Sequence, residues 1–250
     1  MHALLRVLGF ALLLAFALLA LAPAAILQPV VERVGGGALT LLEAQGTLWT
    51  GTGALAAGGQ RLPLSWQVRM PGLLRGVVAV QLGASGAAPA PVRGLVTLSP
   101  RGVAATDAEI RVPAAMLVAI ARPGAPLHVS GEITATVPRL ERHDAEFAGT
   151  AALRWRSAGI HPVSGGPALD LGTVAASLRA AGDRLAATID NEGGDVHLQG
   201  EASVGFQGAP TLDLRVTPRG AIDSSAAALL HAVGRPEGEG WRITWPATVR

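Results

Sequence analysis

Apolar and polar residues alternate along most of the chain after residue 38. Segments such as Leu62–Met70, Leu127–Val137 and Val196–Phe206 place apolar side chains at alternate positions over most of their length. A period of two is typical of β-strands that bury one face. The pattern therefore predicts a mainly β fold for residues 38–250, built of strongly twisted antiparallel sheets.

Glycines recur inside these predicted strands, at Gly131, Gly149 and Gly200. A glycine within a strand often marks a bulge, a bend or the close approach of another backbone. The three positions therefore indicate local irregularities and a coiled rather than a flat sheet.

Two segments within the β region carry the signals of short helices. Pro113–Ile120 begins with a proline, which suits the first position of a helix. Ser225–Val233 follows Asp223 and Ser224, either of which can cap a helix, and Gly234 commonly ends one. The sequence thus predicts two short helices among the strands.

A long apolar run lies near the amino terminus. Residues Val7–Leu27 carry no charge, Arg6 precedes them, and Glu32 and Arg33 follow. About 20 apolar residues span a bilayer, and the positive-inside rule keeps Arg6 in the cytoplasm. We therefore expect a single-pass membrane protein with one N-terminal transmembrane helix and an exported body. Its predicted parts are a cytoplasmic terminus (1–6), the anchor (7–27), a juxtamembrane helix or linker (28–37) and an exported β domain (38–250).

A cleaved signal peptide is the alternative interpretation of the same run. Ala20–Ala22 and Ala22–Ala24 both resemble the small-residue sites that signal peptidase recognises. The uncharged run is longer than the usual 7–15 residues of such a peptide, and Pro23 directly follows the first site. Both interpretations export the rest of the chain.

Two further patterns concern the organisation of the β domain. Glu43–Leu55 and Ala145–Ile160 each contain an acidic residue, a Gly-Thr pair and a tryptophan. This echo suggests two related β meanders, with chance similarity in a biased composition as the alternative. Gly83–Pro91 is rich in glycine, alanine and proline and is predicted to be a flexible loop.

Composition narrows the functional classes. All 20 basic residues of the 250-residue chain are arginine, interspersed among 18 acidic ones, and the net charge is +2. A nucleic-acid-binding surface needs a basic cluster, so that class is disfavoured. The absence of cysteine excludes a thiol nucleophile, a disulfide scaffold and the usual structural zinc sites.

No pattern in the sequence predicts a catalytic, cofactor or metal site. Gly51–Ala56 matches a degenerate dinucleotide motif but precedes another strand pattern, which favours a tight β turn. Ser164 has His161 nearby but no recognisable orienting acid, so the hydrolase hypothesis lacks its machinery. The polar cluster Glu141–Glu146 is interpreted as a solvated turn between strands. The six histidines show no metal-ligand spacing.

The five tryptophans are the most informative large side chains. Most are expected to fill the core. Trp241 and Trp245 are four residues apart in a predicted strand and therefore share a face. That face is a candidate docking surface for a partner, and a closing core strand is the alternative.

Several motifs follow the predicted N-terminal anchor in a fixed order, beginning with a Gly-x-Leu-Trp-x-Gly signature. They are Gly46–Gly51 (GTLWTG), Leu62–Trp66 (LPLSW), Pro71–Gly76 (PGLLRG) and Leu214–Gly220 (LRVTPRG), then a helix ended by Gly234. In this order the motifs resemble the type II secretion system protein N family. Residues 83–167 match that family by pattern only.

The resemblance implies an accessory component of the machine that moves folded periplasmic proteins across the outer membrane. It also implies that the anchor lies in the inner membrane and that the β domain (38–250) lies in the periplasm. It implies no catalytic residue and no cofactor, and partners among the inner-membrane and pseudopilus components of that machine. It also implies a structural role for Trp49, as a turn and core anchor.

A second hypothesis is an AsmA-like lipid-handling protein, in which a coiled sheet forms an apolar trough. The two hypotheses differ in whether helices cover the apolar face of the sheet.

Overall fold

The computed structural model describes residues 21–69, 76–84, 91–121, 127–144, 146–162, 168–205 and 209–245. Within these ranges the chain forms fourteen β-strands, three α-helices and one 3-10 turn, Ala24–Ile26. The helices are α1 (Leu27–Val34), α2 (Ala114–Ala121) and α3 (Ser224–Val233). The strands are β1 (Thr40–Gly46), β2 (Thr50–Ala57), β3 (Gln60–Arg69), β4 (Val78–Gly83), β5 (Val92–Ser99), β6 (Gly102–Pro113), β7 (Leu127–His143), β8 (Glu146–Pro162), β9 (Leu169–Ala181), β10 (Arg184–Glu192), β11 (Val196–Gly205), β12 (Thr211–Pro218), β13 (Arg235–Glu237) and β14 (Gly240–Trp245).

All the described strands belong to one antiparallel sheet. Each strand pairs with the strand next to it in sequence, except that β14 lies between β12 and β13. The prediction of a mainly β, antiparallel fold is confirmed. The prediction of more than one sheet is wrong, because the described strands pair into a single sheet.

The period-two pattern gives this sheet two different faces. The register pairs apolar residues across neighbouring strands, for example Leu55 with Leu62 and Ile133 with Trp155. We call the side that carries these residues the apolar face and the opposite side the polar face. The core lies on the apolar face, because half-buried strands turn their apolar side chains to one side.

Two helices cover separate parts of the apolar face. Met116 of α2 packs with Leu62, Val92 and Val112. Ala226 and Leu230 of α3 lie in a second cluster; its strand residues include Val196, Val216 and Trp241. Burying side chains of this size stabilises the fold by about 1.5–3 kcal/mol each, so the helices hold the sheet as well as shield it.

Both helices predicted within the β region are present. Helix α2 begins at Ala114, directly after Pro113 ends β6. At the start of α3 the Asp223 carboxylate accepts a hydrogen bond from the Ser225 amide, at 2.8 Å. At its end the Gly234 amide donates to the Leu230 carbonyl, also at 2.8 Å. Local capping chemistry was therefore enough to place these helices to within one residue.

The segment before β1 folds onto the sheet. The predicted linker at residues 28–37 consists largely of helix α1, which packs along β1 and ends at Gly35–Gly37. Ala22 and Ala24 are buried, and the Leu48 amide donates to the Ala22 carbonyl at 2.8 Å. The last six residues of the predicted anchor, Ala22–Leu27, thus belong to the folded domain.

Residues 7–20 of the predicted anchor lie outside the described residues, as do residues 85–90 of the predicted loop at Gly83–Pro91. In the part of the chain that the structure does describe, no helix is both long and apolar enough to cross a bilayer.

The glycine prediction and the repeat prediction have different outcomes. Gly131 has φ +97° and lies where the β7–β8 register shifts, so the predicted bulge is present there. The two echoing segments do not share a structure. Glu43–Leu55 forms a hairpin of β1 and β2, whereas Glu146–Ile160 lies within the single strand β8.

Candidate interaction face of the sheet

The polar face carries ion pairs that bridge neighbouring strands. Glu109 of β6 pairs with Arg93 of β5 and, at 3.3 Å, with Arg111. Asp213 of β12 pairs with Arg242 of β14 at 2.6 Å. Exposed pairs of this kind contribute about 0–1 kcal/mol each. They nevertheless neutralise the charges of the residues that they join.

The same ion pairs lower the pKa of both acidic side chains. Hydrogen bonding and charge attraction from Arg93 lower the pKa of Glu109 below its usual value. Hydrogen bonding from Arg242 lowers the pKa of Asp213 in the same way. Both carboxylates are therefore held ionised, which suits ion pairing and does not suit a general acid.

Parts of the apolar face remain open to solvent. Among the described strand residues, the large hydrophobic side chains that are exposed all lie on this face. They are Leu98, Val103, Ile110, Val204 and Trp245. The face is thus covered at the two helices and uncovered between and beyond them.

The open region nearest the carboxy-terminal strands forms a groove. Its volume is about 420 Å³, and it contains no charged side chain among its lining residues. Its large apolar lining residues are Leu178, Leu185, Val204, Leu212 and Trp245. We call this surface the Trp245 groove. It lies at the opposite end of these strands from α3, which covers Val216 and Trp241.

Trp241 and Trp245 share a face, as the spacing predicts, but they differ in burial. Trp241 pairs with Val216 and Trp245 pairs with Leu212 across β12 and β14. Trp241 is 8% exposed, and its Nε1 donates to His231 Nδ1 of α3 at 3.3 Å. Trp245 is 48% exposed. Of the two, Trp241 therefore belongs to the core and Trp245 to the candidate surface.

The groove residues on β9 to β11 were not singled out from the sequence. Leu178, Leu185 and Val204 carry the same period-two signal as the buried positions of their strands. Which of these positions stay exposed depends on how far α3 reaches across the sheet. That reach is a long-range property, which periodicity does not report.

The Gly46–Gly51 signature forms the turn between β1 and β2. The Thr47 hydroxyl accepts hydrogen bonds from the amides of Trp49 and Thr50, at 3.3 and 3.2 Å. The Thr47 carbonyl accepts one from the Trp66 indole, at 3.3 Å. Trp66 is buried, while Trp49 is only half-buried. The signature is structural, as expected, but the core anchor is Trp66 rather than Trp49.

Gly51 explains why small residues fill this part of β2. A Cβ atom at Gly51 would collide with the Trp66 ring. The run Gly51–Ala56 lies within strand β2, and the turn predicted for it is wrong. Its glycines make room for a core side chain rather than for a phosphate.

The remaining polar candidates among the described residues are His161 of β8 and the cluster at the β7–β8 turn. His161 Nε2 lies 3.3 Å from the Ser130 hydroxyl, and Ser164 lies outside the described residues. Glu141 and Glu146 flank the turn between β7 and β8, as predicted. No group of three or more histidine and acidic residues that could hold a metal ion occurs within the described ranges.

Comparison with known protein families gives a match over most of the chain. A family model described as Type II secretion system (T2SS), protein N, matches residues 37–244. The match begins just before β1 and ends one residue before the end of β14, so it covers all fourteen described strands except Trp245. It leaves out residues 1–36, which hold the apolar run and α1, and residues 245–250. The chain has no significant match among curated proteins or among solved structures.

Proposed function

The chain belongs to the type II secretion system protein N family, and on that premise we propose that it is a non-enzymatic assembly component of the secretion machine. It acts as a scaffold in the export of folded periplasmic proteins across the outer membrane. The observation that carries this proposal is the family match across the entire sheet, from β1 to β14. The lipid-handling alternative gains no support from the comparisons.

Family membership implies contact with other components of the machinery, and the Trp245 groove is the surface we propose for it. The groove is apolar, uncharged and open, and an exposed apolar patch of this kind marks interaction sites on soluble domains. Tryptophan is also enriched at interface hot spots because it buries a large area with few rotatable bonds. The proposed occupants are inner-membrane or pseudopilus components.

Crosslinking in intact cells tests this surface. A photoreactive residue replaces Trp245 or, in a second variant, Val204. The matched control carries the probe at Thr188, which is exposed on the polar face of β10. We expect adducts with secretion components from the two groove positions and not from Thr188. Adducts dominated by phospholipid, with no secretion component, would contradict the scaffold proposal.

We further propose that the amino-terminal segment holds the sheet at the periplasmic side of the inner membrane. Ala22 is already part of the fold, so the uncharged residues available are Val7–Leu21. Fifteen helical residues extend about 22 Å, which is shorter than a hydrocarbon core of about 30 Å. A spanning helix would therefore start near Ala3, giving about 29 Å. The Arg6 side chain would then reach back to the cytoplasmic interface.

A substitution at Leu14 tests the anchor. Leu14 lies outside the described residues and, by sequence, near the centre of the apolar run. Leu14→Arg should cost about 2.5–3.5 kcal/mol of insertion free energy and lower the membrane-bound fraction of the protein. Mass spectrometry of the mature wild-type chain should give the intact 25.4 kDa. Loss of the first 22 residues would show that the segment is a cleaved signal peptide.

A further inference from the structure

Helix α1 has more apolar surface than the sheet covers. Leu27 packs against the cluster of Ala24, Leu64 and Trp66. Val30 and Val34 of α1, and Ile26 at the end of the 3-10 turn directly before it, follow one another at intervals of four residues and are 53%, 82% and 50% exposed. At 100° per residue these three lie within one quadrant of the helix. We call them the exposed stripe.

The exposed stripe adjoins the sheet-facing side of α1, so the two form one continuous apolar arc. Leu27 and Val31 lie on the part of the arc turned to the sheet, and Val31 is half-buried. Arg33 borders the stripe on its other side, by the same 100° rotation. An arc only half covered by its own domain, with a basic residue at its border, is typical of a helix that lies in a membrane interface.

The position of α1 along the chain points to the lipid surface. The uncharged segment Val7–Leu21 ends directly before Ala22, and two contacts fix Ala22 and Pro23 to the β1–β2 turn. These are the Leu48 amide bond to the Ala22 carbonyl and the bridge between Pro23 and Thr47. The five-residue step from Leu21 to Ile26 reaches about 17 Å at most. A segment held in the bilayer therefore keeps the stripe within reach of the headgroups.

We propose that the exposed stripe of α1 docks into the headgroup region of the membrane that holds the N-terminal segment. The occupant is the lipid surface itself, with Ile26, Val30 and Val34 inserted at the acyl boundary. The Arg33 guanidinium lies at the level of the lipid phosphates. The proposal rests on the membrane anchoring proposed above. It makes the β1–β2 turn the membrane-proximal corner of the sheet and replaces a loose tether with a fixed orientation.

Single-cysteine labelling of the full chain tests this proposal. The chain contains no cysteine, so each introduced cysteine is labelled alone. The variants I26C, V30C and V34C probe the stripe. A25C and E32C are the matched controls, because both positions are exposed and lie away from the stripe. Each variant carries an environment-sensitive fluorophore and is reconstituted in vesicles of phosphatidylglycerol and phosphatidylcholine. A second set of vesicles contains lipid that is brominated near the top of the acyl chains.

We expect the three stripe probes to emit at shorter wavelength, to be quenched by the brominated lipid, and to be protected from aqueous iodide. The two controls should show the opposite behaviour. Equal iodide quenching at all five positions, in protein that still floats with the vesicles, would overturn the docking and leave the anchor intact. Protein that fails to float would instead contradict the anchor.

A second measurement separates lipid from protein as the occupant. Photocrosslinking from Val30 in native membranes should give phospholipid adducts. A dominant adduct with a secretion component would overturn the lipid assignment, even if the stripe is shielded. The variant V30S should keep the wild-type unfolding midpoint, because Val30 is exposed in the fold. A lowered midpoint would show that the stripe packs within the protein.

Discussion

Asn191 is the buried polar side chain that links three strands. Its amide nitrogen donates to the carbonyls of Leu171 and Val196, at 2.8 and 2.9 Å. Its side-chain oxygen accepts from the Leu198 amide at 2.7 Å. The residue thus satisfies backbone groups of β9 and β11. It lies on β10 one residue beyond Asp190, at which the β10–β11 pairing ends. A buried polar residue is tolerated because its partners are all supplied.

Replacing Asn191 by leucine should destabilise the protein strongly. The shape is nearly conserved, but each buried backbone group left without a partner costs about 1–3 kcal/mol. Urea unfolding should show a lower midpoint with an unchanged slope. The control Asp190→Asn changes the exposed neighbour and should leave the midpoint in place. An N191L variant with the wild-type unfolding midpoint would mean that water takes the place of the amide as the hydrogen-bond partner.

Trp66 is the residue whose loss should affect the amino-terminal core most. It is buried, stacks over Gly51 and donates to the Thr47 carbonyl. Trp66→Ala should lower the free energy of unfolding by about 3–5 kcal/mol, as for other buried aromatics. The matched control Trp245→Ala removes an exposed indole and should have a much smaller effect. Similar losses in both variants would place Trp245 in the core.

The elements show which parts of the fold the sequence could predict. Helices α2 and α3 were predictable because Pro113, Asp223 and Gly234 act within a turn of the helix they delimit. The alternation of the strands likewise predicted which side chains share a face. Both signals are local, and both were confirmed.

Contacts between distant segments account for what the sequence did not predict. Residues 28–37 were expected to be a juxtamembrane helix or linker, and their packing on the sheet was not expected because nothing local shows that Leu27 meets Leu64 and Trp66. Several sheets were predicted instead of one, because the alternation of apolar and polar residues does not show which strands pair. The Trp245 groove was predicted only in part, through Trp245 itself. Its other walls come from strands 33 to 67 residues earlier in the chain.

The pairing of β5 with β6 should give the protein a measurable acid sensitivity. The pKa of Glu109 is lower in the folded than in the unfolded state, because Arg93 binds its ionised form. Its stabilisation is therefore complete above the unfolded pKa and disappears as the pH falls through the folded pKa. Carboxylates titrate between about pH 5 and pH 3. Over this interval the free energy of unfolding should fall less in the Glu109→Gln variant than in the wild-type protein.

Chemical denaturation at a series of pH values measures this effect. The control Glu201→Gln removes a carboxylate of β11 that is exposed on the polar face. A wild-type acid profile in the E109Q variant would show that the ion pair adds nothing to stability in solution.

The whole molecule is organised around separate cores rather than one. The cluster beneath α3 takes its strand residues from β8 to β14, and the cluster beneath α2 takes its own from β2 to β7. The two clusters share no residue. Since each strand pairs only with its neighbours, stability passes along the sheet from strand to strand, as in repeat proteins.

Leu230→Ala should therefore loosen one half of the sheet and spare the other. The substitution empties a buried site of α3 and should cost about 2–5 kcal/mol locally. Hydrogen exchange followed by mass spectrometry should show lost protection in peptides from β9 to β14 and wild-type protection in β1 to β6. Met116→Ala is the reciprocal variant and should give the reverse pattern. Uniform loss of protection in either variant would show that the sheet unfolds as one unit.

The order of the strands has a consequence for how the chain is made. A ribosome delivers the amino-terminal strand first, and in this sheet each new strand up to β12 finds its partner already present. Sequence separation between partners stays small, which favours fast pairing. Only β13 breaks the rule, since it must wait for β14 to insert beside β12. The sheet can thus grow by adding strands in the order of synthesis. The last strand to be made, β14, carries Trp241 and Trp245.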